Sequence, residues 1–238
     1  MGETVRTFIC AVVIAFGVRT FAYEPFNIPS GSMIPTLLIG DYLFVSKFSY
    51  GYSKYTLGFG LPLFEGRLFG RDPRRGDVIV FKLPRDNKTD YIKRLIGLPG
   101  DRIQMIGGVL HINGEAVGMQ RIDDVSATNH MGQRVRIAQF LETLPGGKVH
   151  KIYKETMGGP LDNTPIYVVP PHHYFMMGDN RDNSLDSRVP SAVGFVPEEN
   201  LVGRAEFIFF SLEDGTRFWE LWRWPFDLRG SRLLSGVT

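Results

Sequence analysis

A hydroxyl framed by turn-forming residues is the first candidate for chemistry. Ile28-Pro29-Ser30-Gly31-Ser32-Met33-Ile34-Pro35-Thr36-Leu37 carries two prolines and a glycine, which exclude a regular helix and make a fixed, exposed turn. Such a turn can present a hydroxyl beside backbone N–H groups, the arrangement acyl transfer requires. Taken alone, Pro-Ser-Gly-Ser is equally ordinary loop chemistry. The second candidate is a lysine in Tyr91-Ile92-Lys93-Arg94-Leu95-Ile96-Gly97-Leu98-Pro99-Gly100-Asp101. Strand alternation puts Tyr91, Lys93 and Leu95 on one face and Ile92 and Arg94 on the other. Apolar neighbours would penalise the Lys93 ammonium and lower its pKa, which makes a base of lysine near neutral pH. In isolation the segment reads better as a lysine on a solvated strand face. The third candidate is Gly178-Asp179-Asn180-Arg181-Asp182-Asn183-Ser184-Leu185-Asp186-Ser187-Arg188, whose side chains bond backbone and one another to build a rigid loop. Asp186 and Arg188 can pair there, and Ser184 can hold another side chain in place. A calcium loop is the rival reading of that spacing, opposed by Arg181 and Arg188 and by the lack of a bidentate Glu at the right offset.

The elements that must position these residues are short. Among 238 residues, Gly 27 and Pro 15 give many turns, so the chain reads as mainly β rather than a helical bundle. Strands are expected at Asp41–Phe48, Asp77–Lys82, Asp90–Gly97, Val109–Ile112, Glu115–Val117, Gly147–Tyr153, Ile166–Val169, Tyr174–Met177 and Leu201–Ser211. Asn113-Gly114 marks a hairpin with a type I′ turn. Ser49–Arg75 and Met119–Pro165 read as insertions. The expected architecture is an antiparallel β catalytic domain (25–101 and 169–238), an inserted smaller β lobe (102–168) and an N-terminal transmembrane anchor helix (1–24). The anchor rests on the apolar run Phe8–Val18, extended past a snorkelling Arg19 to the interfacial aromatics Phe21 and Tyr23. No small-x-small cleavage site follows it, which argues against a removed signal peptide. Arg6 and Arg19 flank it on both sides, so charge alone sets no orientation. A net charge of +2 gives no footprint for nucleic acid. The single cysteine, Cys10, excludes an internal disulfide and a Cys-based zinc site and sits in the apolar run as inert packing.

Together the three clusters, with Arg75-Gly76-Asp77-Val78-Ile79-Val80-Phe81 as a structural strand, resemble the bacterial type I signal peptidases. The resemblance runs from about Arg19 to Asp101 and again from about Val168 to Ser211, with the boxes in the family's order. It implies a Ser-Lys serine endopeptidase: Ser32 the nucleophile, Lys93 the general base, Ser30 and the Ser32 N–H the oxyanion hole. It further implies that Ser184 hydrogen-bonds and orients Lys93, that Asp186 and Arg188 brace the loop, and that Ile28, Met33, Tyr91 and Ile92 line shallow substrate pockets. The implied substrate is the cleavage region of secretory preproteins, with small side chains at the first and third positions before the cut. No metal or cofactor is implied. The implied location is the bacterial inner membrane, single-pass, with the catalytic domain on the periplasmic side and membrane lipid as a second partner. Relatives with an additional preceding membrane segment set an expectation this sequence does not meet.

Rival readings are a Ser-His-Asp hydrolase, a self-cleaving repressor and a peptide-binding β module. His111, His130, His150, His172 and His173 lack a triad context and there is no Gly-x-Ser-x-Gly elbow, so structural roles are expected for all five. No helix-turn-helix pattern precedes Ser32. Strand addition of an extended peptide without cleavage remains a possible use of such a domain. Three apolar groups read as a lipid-facing surface: Phe26, Ile28, Met33 and Ile34; Leu57, Phe59, Leu61, Leu63 and Phe64; and Trp219, Leu221, Trp222, Trp224 and Phe226 beside Arg217 and Arg223. Packing of the tryptophans on the sheet is the alternative.

Overall fold

The computed structural model describes residues 2–56, 66–128, 134–156 and 158–237. Leu57, Phe59, Leu61, Leu63, Phe64 and His130 lie outside the described residues. A 20-residue helix, α1 (Gly2–Phe21), comes first, longer than its apolar run and almost unburied. At about 1.5 Å per residue it matches a hydrocarbon core of about 30 Å. Cys10 is exposed on its surface. The helix ends where β1 (Tyr23–Asn27) begins, so Tyr23 and Glu24 belong to the sheet rather than to the anchor.

The strands that follow are β2 (Asp41–Ser46), β3 (Val78–Lys82), β4 (Asp90–Gly97), β5 (Arg102–Ile106), β6 (Val109–Ile112), β7 (Glu115–Ala116) and β8 (Gly118–Arg121). After them come β9 (Val125–Thr128), β10 (Arg134–Thr143), β11 (Val149–Lys154), β12 (Tyr167–Val168), β13 (His173–Met177), β14 (Val196–Pro197) and β15 (Leu201–Ser211). A one-turn α2 (Trp224–Asp227) and β16 (Ser235–Gly236) close the chain. The main sheet has eight strands in the order β1-β2-β15-β3-β4-β13-β14, with β16 also on β15. All its ladders are antiparallel. Bulges in β15 against β2 and β3 and in β13 against β4 help curl it. Two four-stranded sheets hold the strands of 102–168, one ordered β11-β10-β8 with β9 on β10, the other β12-β5-β6-β7. The chain is therefore mainly β, and among the described residues one apolar helix, the N-terminal α1, is long enough to cross a membrane.

The sequence misses β1, β5, β8, β9, β10, β14 and β16. β10 is ten residues long inside a stretch read as a polar insertion. Its charged Glu142 is buried by partners far along the chain, which no local pattern reveals. The hairpin holds: Asn113 and Gly114 both have positive φ, 57° and 88°, as a type I′ turn requires.

The core fixes the site. Ile28, Met33 and Leu37 from the serine-bearing turn pack with Leu43, Val45, Val78, Val80, Val202, Ala205 and Ile208. Met33 and Leu37 are fully buried, and each contributes about 1.5–3 kcal/mol of apolar burial. Ser32, beside Met33, is thereby seated on the core. A second cluster (Ile79, Phe81, Leu95, Met176, Leu201) backs the opposite side of β3 and β4.

Candidate active site

Ser32 sits in a single 3-10 turn, Gly31–Met33, entered from Ser30 in extended backbone (φ −134°, ψ 152°). The first N–H groups of a helical turn have no carbonyl within it to bond, and the Ser32 N–H has no backbone partner among the described residues. Ser30 is exposed, and its hydroxyl makes no capping bond to the turn. Both serines line the same cleft.

Lys93 reaches that cleft from β4. Its Nζ stands 2.7 Å from Ser32 Oγ and donates to Ile92 O at 2.9 Å. The lysine is 3% exposed. Burial drives its pKa from 10.5 down to about 8, while the charges of Asp186 and Asp179 hold it from falling further. Its ammonium also lies 5.2 Å from the Tyr91 ring centre. The arrangement pairs a hydroxyl with an amine that loses its proton near neutral pH, the requirement for an activated nucleophile.

The loop 178–188 closes round the turn. Asn180 N donates to Ser32 O at 3.1 Å and its Nδ2 to Gly31 O at 3.1 Å. Gly178 must be glycine here, since a Cβ would fall 2.5 Å from Ser32 O and 2.2 Å from Ser184 Oγ. Asp186 takes Arg188 Nε at 2.9 Å, Arg188 Nη2 at 2.8 Å and Gly178 N at 3.0 Å. Those contacts hold its carboxyl below the usual range against the opposing effect of burial. Ser184 departs from expectation. Its hydroxyl lies near enough to Asp186 to favour the charged carboxylate, but it is buried with no well-formed hydrogen bond and none to Lys93. Ser184 packs on Gly178 beside the loop's own carboxylate, and the hydrogen bonds of Lys93 Nζ among the described residues go to Ser32 Oγ and Ile92 O.

Beneath the site lie charges the sequence reading missed. Arg94, on the strand face opposite Lys93, donates to both Asp179 oxygens at 2.8 and 2.7 Å, to Gly76 O at 2.8 Å and to Thr36 Oγ1 at 3.2 Å. Thr36 Oγ1 donates in turn to Asp179. Arg181 forks onto Glu142 of β10. His150 is buried 3.4 Å from Glu142 and 3.8 Å from Asp179 without hydrogen-bonding either, and burial lowers its pKa to about 4. The partners are 39 and 85 residues apart along the chain, and only alternation, which sets Arg94 opposite Lys93, carried any hint of them. The other described histidines lie away from the serine: His111 Nδ1 meets Val109 O, His173 Nδ1 meets Pro171 O, and His172 meets Glu198.

The cleft holds about 560 Å³ and is lined by Phe26–Ser30, Ser32, Val80, Thr89–Lys93, Asn183 and Leu185. Ile28, Tyr91 and Ile92 stand in its walls. Met33 does not; it is wholly in the core, where it seats the turn rather than meeting a ligand. Both walls offer backbone. Among the described residues β1 pairs only with β2, and residues 90–93 pair only with β3, because β13 begins its ladder at Arg94.

The family described as Signal peptidase, peptidase S26, matches residues 1–210. Signal peptidase I of Rickettsia typhi is 44% identical over 214 residues, covering 86% of this chain and 78% of that protein. Signal peptidase I of Rickettsia akari is 45% identical over 212 residues, covering 85% and 77%. A crystal structure of a signal peptidase I from Enterococcus faecalis is 29% identical, covering 56% of this chain and 97% of that one at a TM-score of 0.33. On the family match and the two relatives, with a serine and a buried lysine meeting in one cleft, this chain belongs to the signal peptidase family, peptidase S26.

Proposed function

We propose that this chain is a membrane-bound serine endopeptidase that removes signal peptides from secreted preproteins, with Ser32 as nucleophile and Lys93 as general base. The observation that carries it is the 2.7 Å approach of Lys93 Nζ to Ser32 Oγ inside a buried site. Neutral Lys93 takes the Ser32 proton as Oγ attacks the scissile carbonyl carbon. The Ser32 N–H and the Ser30 hydroxyl stabilise the oxyanion. The C–N bond breaks as the Lys93 ammonium gives its proton to the leaving amine, and water then repeats the cycle on the ester. The substrate enters as an extended strand between the backbone edges of β1 and of residues 90–93, its small side chains against Ile28, Tyr91 and Ile92. Ser184, Asp186 and Arg188 support the loop.

The catalytic domain comprises 23–101 and 169–238, its start moved from 25 because β1 begins at Tyr23, with 102–168 as an inserted lobe. α1 is a single-pass anchor in the bacterial inner membrane, with the cleft on the periplasmic side. Lipid is a second partner: Trp219, Leu221, Trp222 and Phe226 are exposed together near the C terminus. Trp224 instead packs on Phe210, ring centres 4.6 Å apart, so the two readings of the tryptophans divide between residues.

The test is cleavage of a purified preprotein by wild type, Ser32→Ala and Lys93→Ala, with the cut read by mass. Loss of cleavage in both variants supports the reading. Near-normal turnover by Lys93→Ala refutes it and leaves a peptide-binding module or another base.

A further inference from the structure

The family match ends at residue 210, yet the segment after it reaches back to the turn that carries the serine. Arg232 Nε donates to Asp41 Oδ1 at 2.9 Å, and its Nη2 donates to Asp41 Oδ2 and, at 3.0 Å, to Thr36 O. Asp41 is fully buried and also takes Leu38 N at 2.8 Å and Ser211 Oγ at 2.7 Å. Thr36 is held at both ends, its carbonyl by Arg232 and its hydroxyl by Arg94 and Asp179. Leu37 N bonds Met33 O at 3.0 Å, so a displacement at Thr36 passes directly to the residue after Ser32. Asp41 acts on the cleft as well: Ile28 N donates to Asp41 O at 2.9 Å and Gly40 N to Ile28 O at 3.1 Å.

The crossing is tight. Gly40, at φ +89°, has no room for a Cβ, which would lie 2.2 Å from Leu212 O. Arg229 adds a bond from Nη1 to Ile39 O at 2.8 Å.

We infer that Arg232 is a positioning residue for the nucleophile: from the C-terminal segment it locks the Thr36–Asp41 turn and so holds Ser32 Oγ against Lys93. The inference rests on the Ser32–Lys93 reading given above. Its physical basis is the planar guanidinium, which satisfies two carboxylate oxygens and a carbonyl at once, where an ammonium is a single point. A shift of about 1 Å in a reacting group costs on the order of a hundredfold in rate.

The test measures kcat and KM separately with the full chain in detergent and a purified preprotein, for wild type, Arg232→Ala, Arg232→Lys, Ser32→Ala and Lys93→Ala. Arg232→Ala is expected to lower kcat roughly ten- to a hundredfold with KM within about twofold, and added guanidinium should restore part of the loss. Arg232→Lys should fall between. A merely structural arginine would lower the melting temperature and leave kcat unchanged below it; that result overturns the inference. If Arg232→Ala does not fold, Arg232→Lys decides by the same split, reduced kcat supporting the inference and wild-type kcat overturning it. Wild-type kcat in the Arg232 variants beside inactive Ser32→Ala and Lys93→Ala defeats this inference alone. Activity in Ser32→Ala or Lys93→Ala defeats the dyad reading and this inference with it.

Discussion

An unperturbed lysine, with a pKa of about 10.4, is under a thousandth deprotonated at neutral pH. Lys93 becomes useful because burial lowers its value to about 8 and no carboxylate forms an ion pair with it among the described residues. The rate should therefore rise with pH and level off above about 8, its acid limb reporting the loss of the Lys93 proton. An acid limb that persists in the residual activity of a Lys93 variant would assign it to another group. The same shift has a stability cost with a definite sign. The unfolded chain binds the proton more tightly than the native one, so the native state gains stability as pH climbs from about 8 to 10.5 and lacks that gain below about 8. Lys93→Met should thus abolish cleavage yet raise Tm at pH 7, the advantage fading toward pH 10; a drop in Tm at pH 7 would contradict the burial argument. Ser30→Ala should lower turnover roughly ten- to a thousandfold with little change in KM, as loss of an oxyanion donor does. Unchanged turnover would leave Ser30 as a turn residue only.

At the scale of elements, the 178–188 loop is held to β10 by a buried Arg181–Glu142 pair and to β4 by Arg94–Asp179. Removing one partner strands a buried charge, at a cost of about 3–5 kcal/mol. Arg181→Met should lower thermal stability by that order, and Arg181→Met with Glu142→Leu should recover most of it, because no lone charge remains. Thermal unfolding of the two variants decides; a double variant no better than the single would mean the pair's geometry, rather than its charge balance, holds the loop.

For the whole molecule, the boundary of the anchor matters. Tyr23 pairs with Ser46, and Lys47 N bonds Ala22 O, so a soluble form should start at Ala22 and keep β1 whole. Removing residues 1–21 should leave a folded, active β domain, since every residue assigned a chemical role lies beyond Glu24. It should still float with liposomes, because Trp219, Trp222 and Phe226 are 66%, 70% and 86% exposed and close together in sequence. A truncated protein that stays wholly in the soluble fraction and needs no detergent for activity would refute the lipid contact.

What the sequence settled by itself was local. Alternation along β4 set Lys93 opposite Arg94, Asn113-Gly114 named its turn, and the prolines around Ser32 ruled out a helix; each follows from backbone geometry within a few residues. Ser32 and Lys93 could be singled out from the motif order, but only the curled sheet brings positions 61 residues apart to 2.7 Å. Only the tertiary structure could show that Met33 belongs to the core, that Ser184 makes no hydrogen bond to Lys93, and that Asp179, Glu142 and Asp41 are buried against arginines. Buried charge is stabilised by its partner, and these partners arrive from distant strands and from the C-terminal segment. No local pattern encodes such pairings, because their energy exists only once the sheets have closed around them.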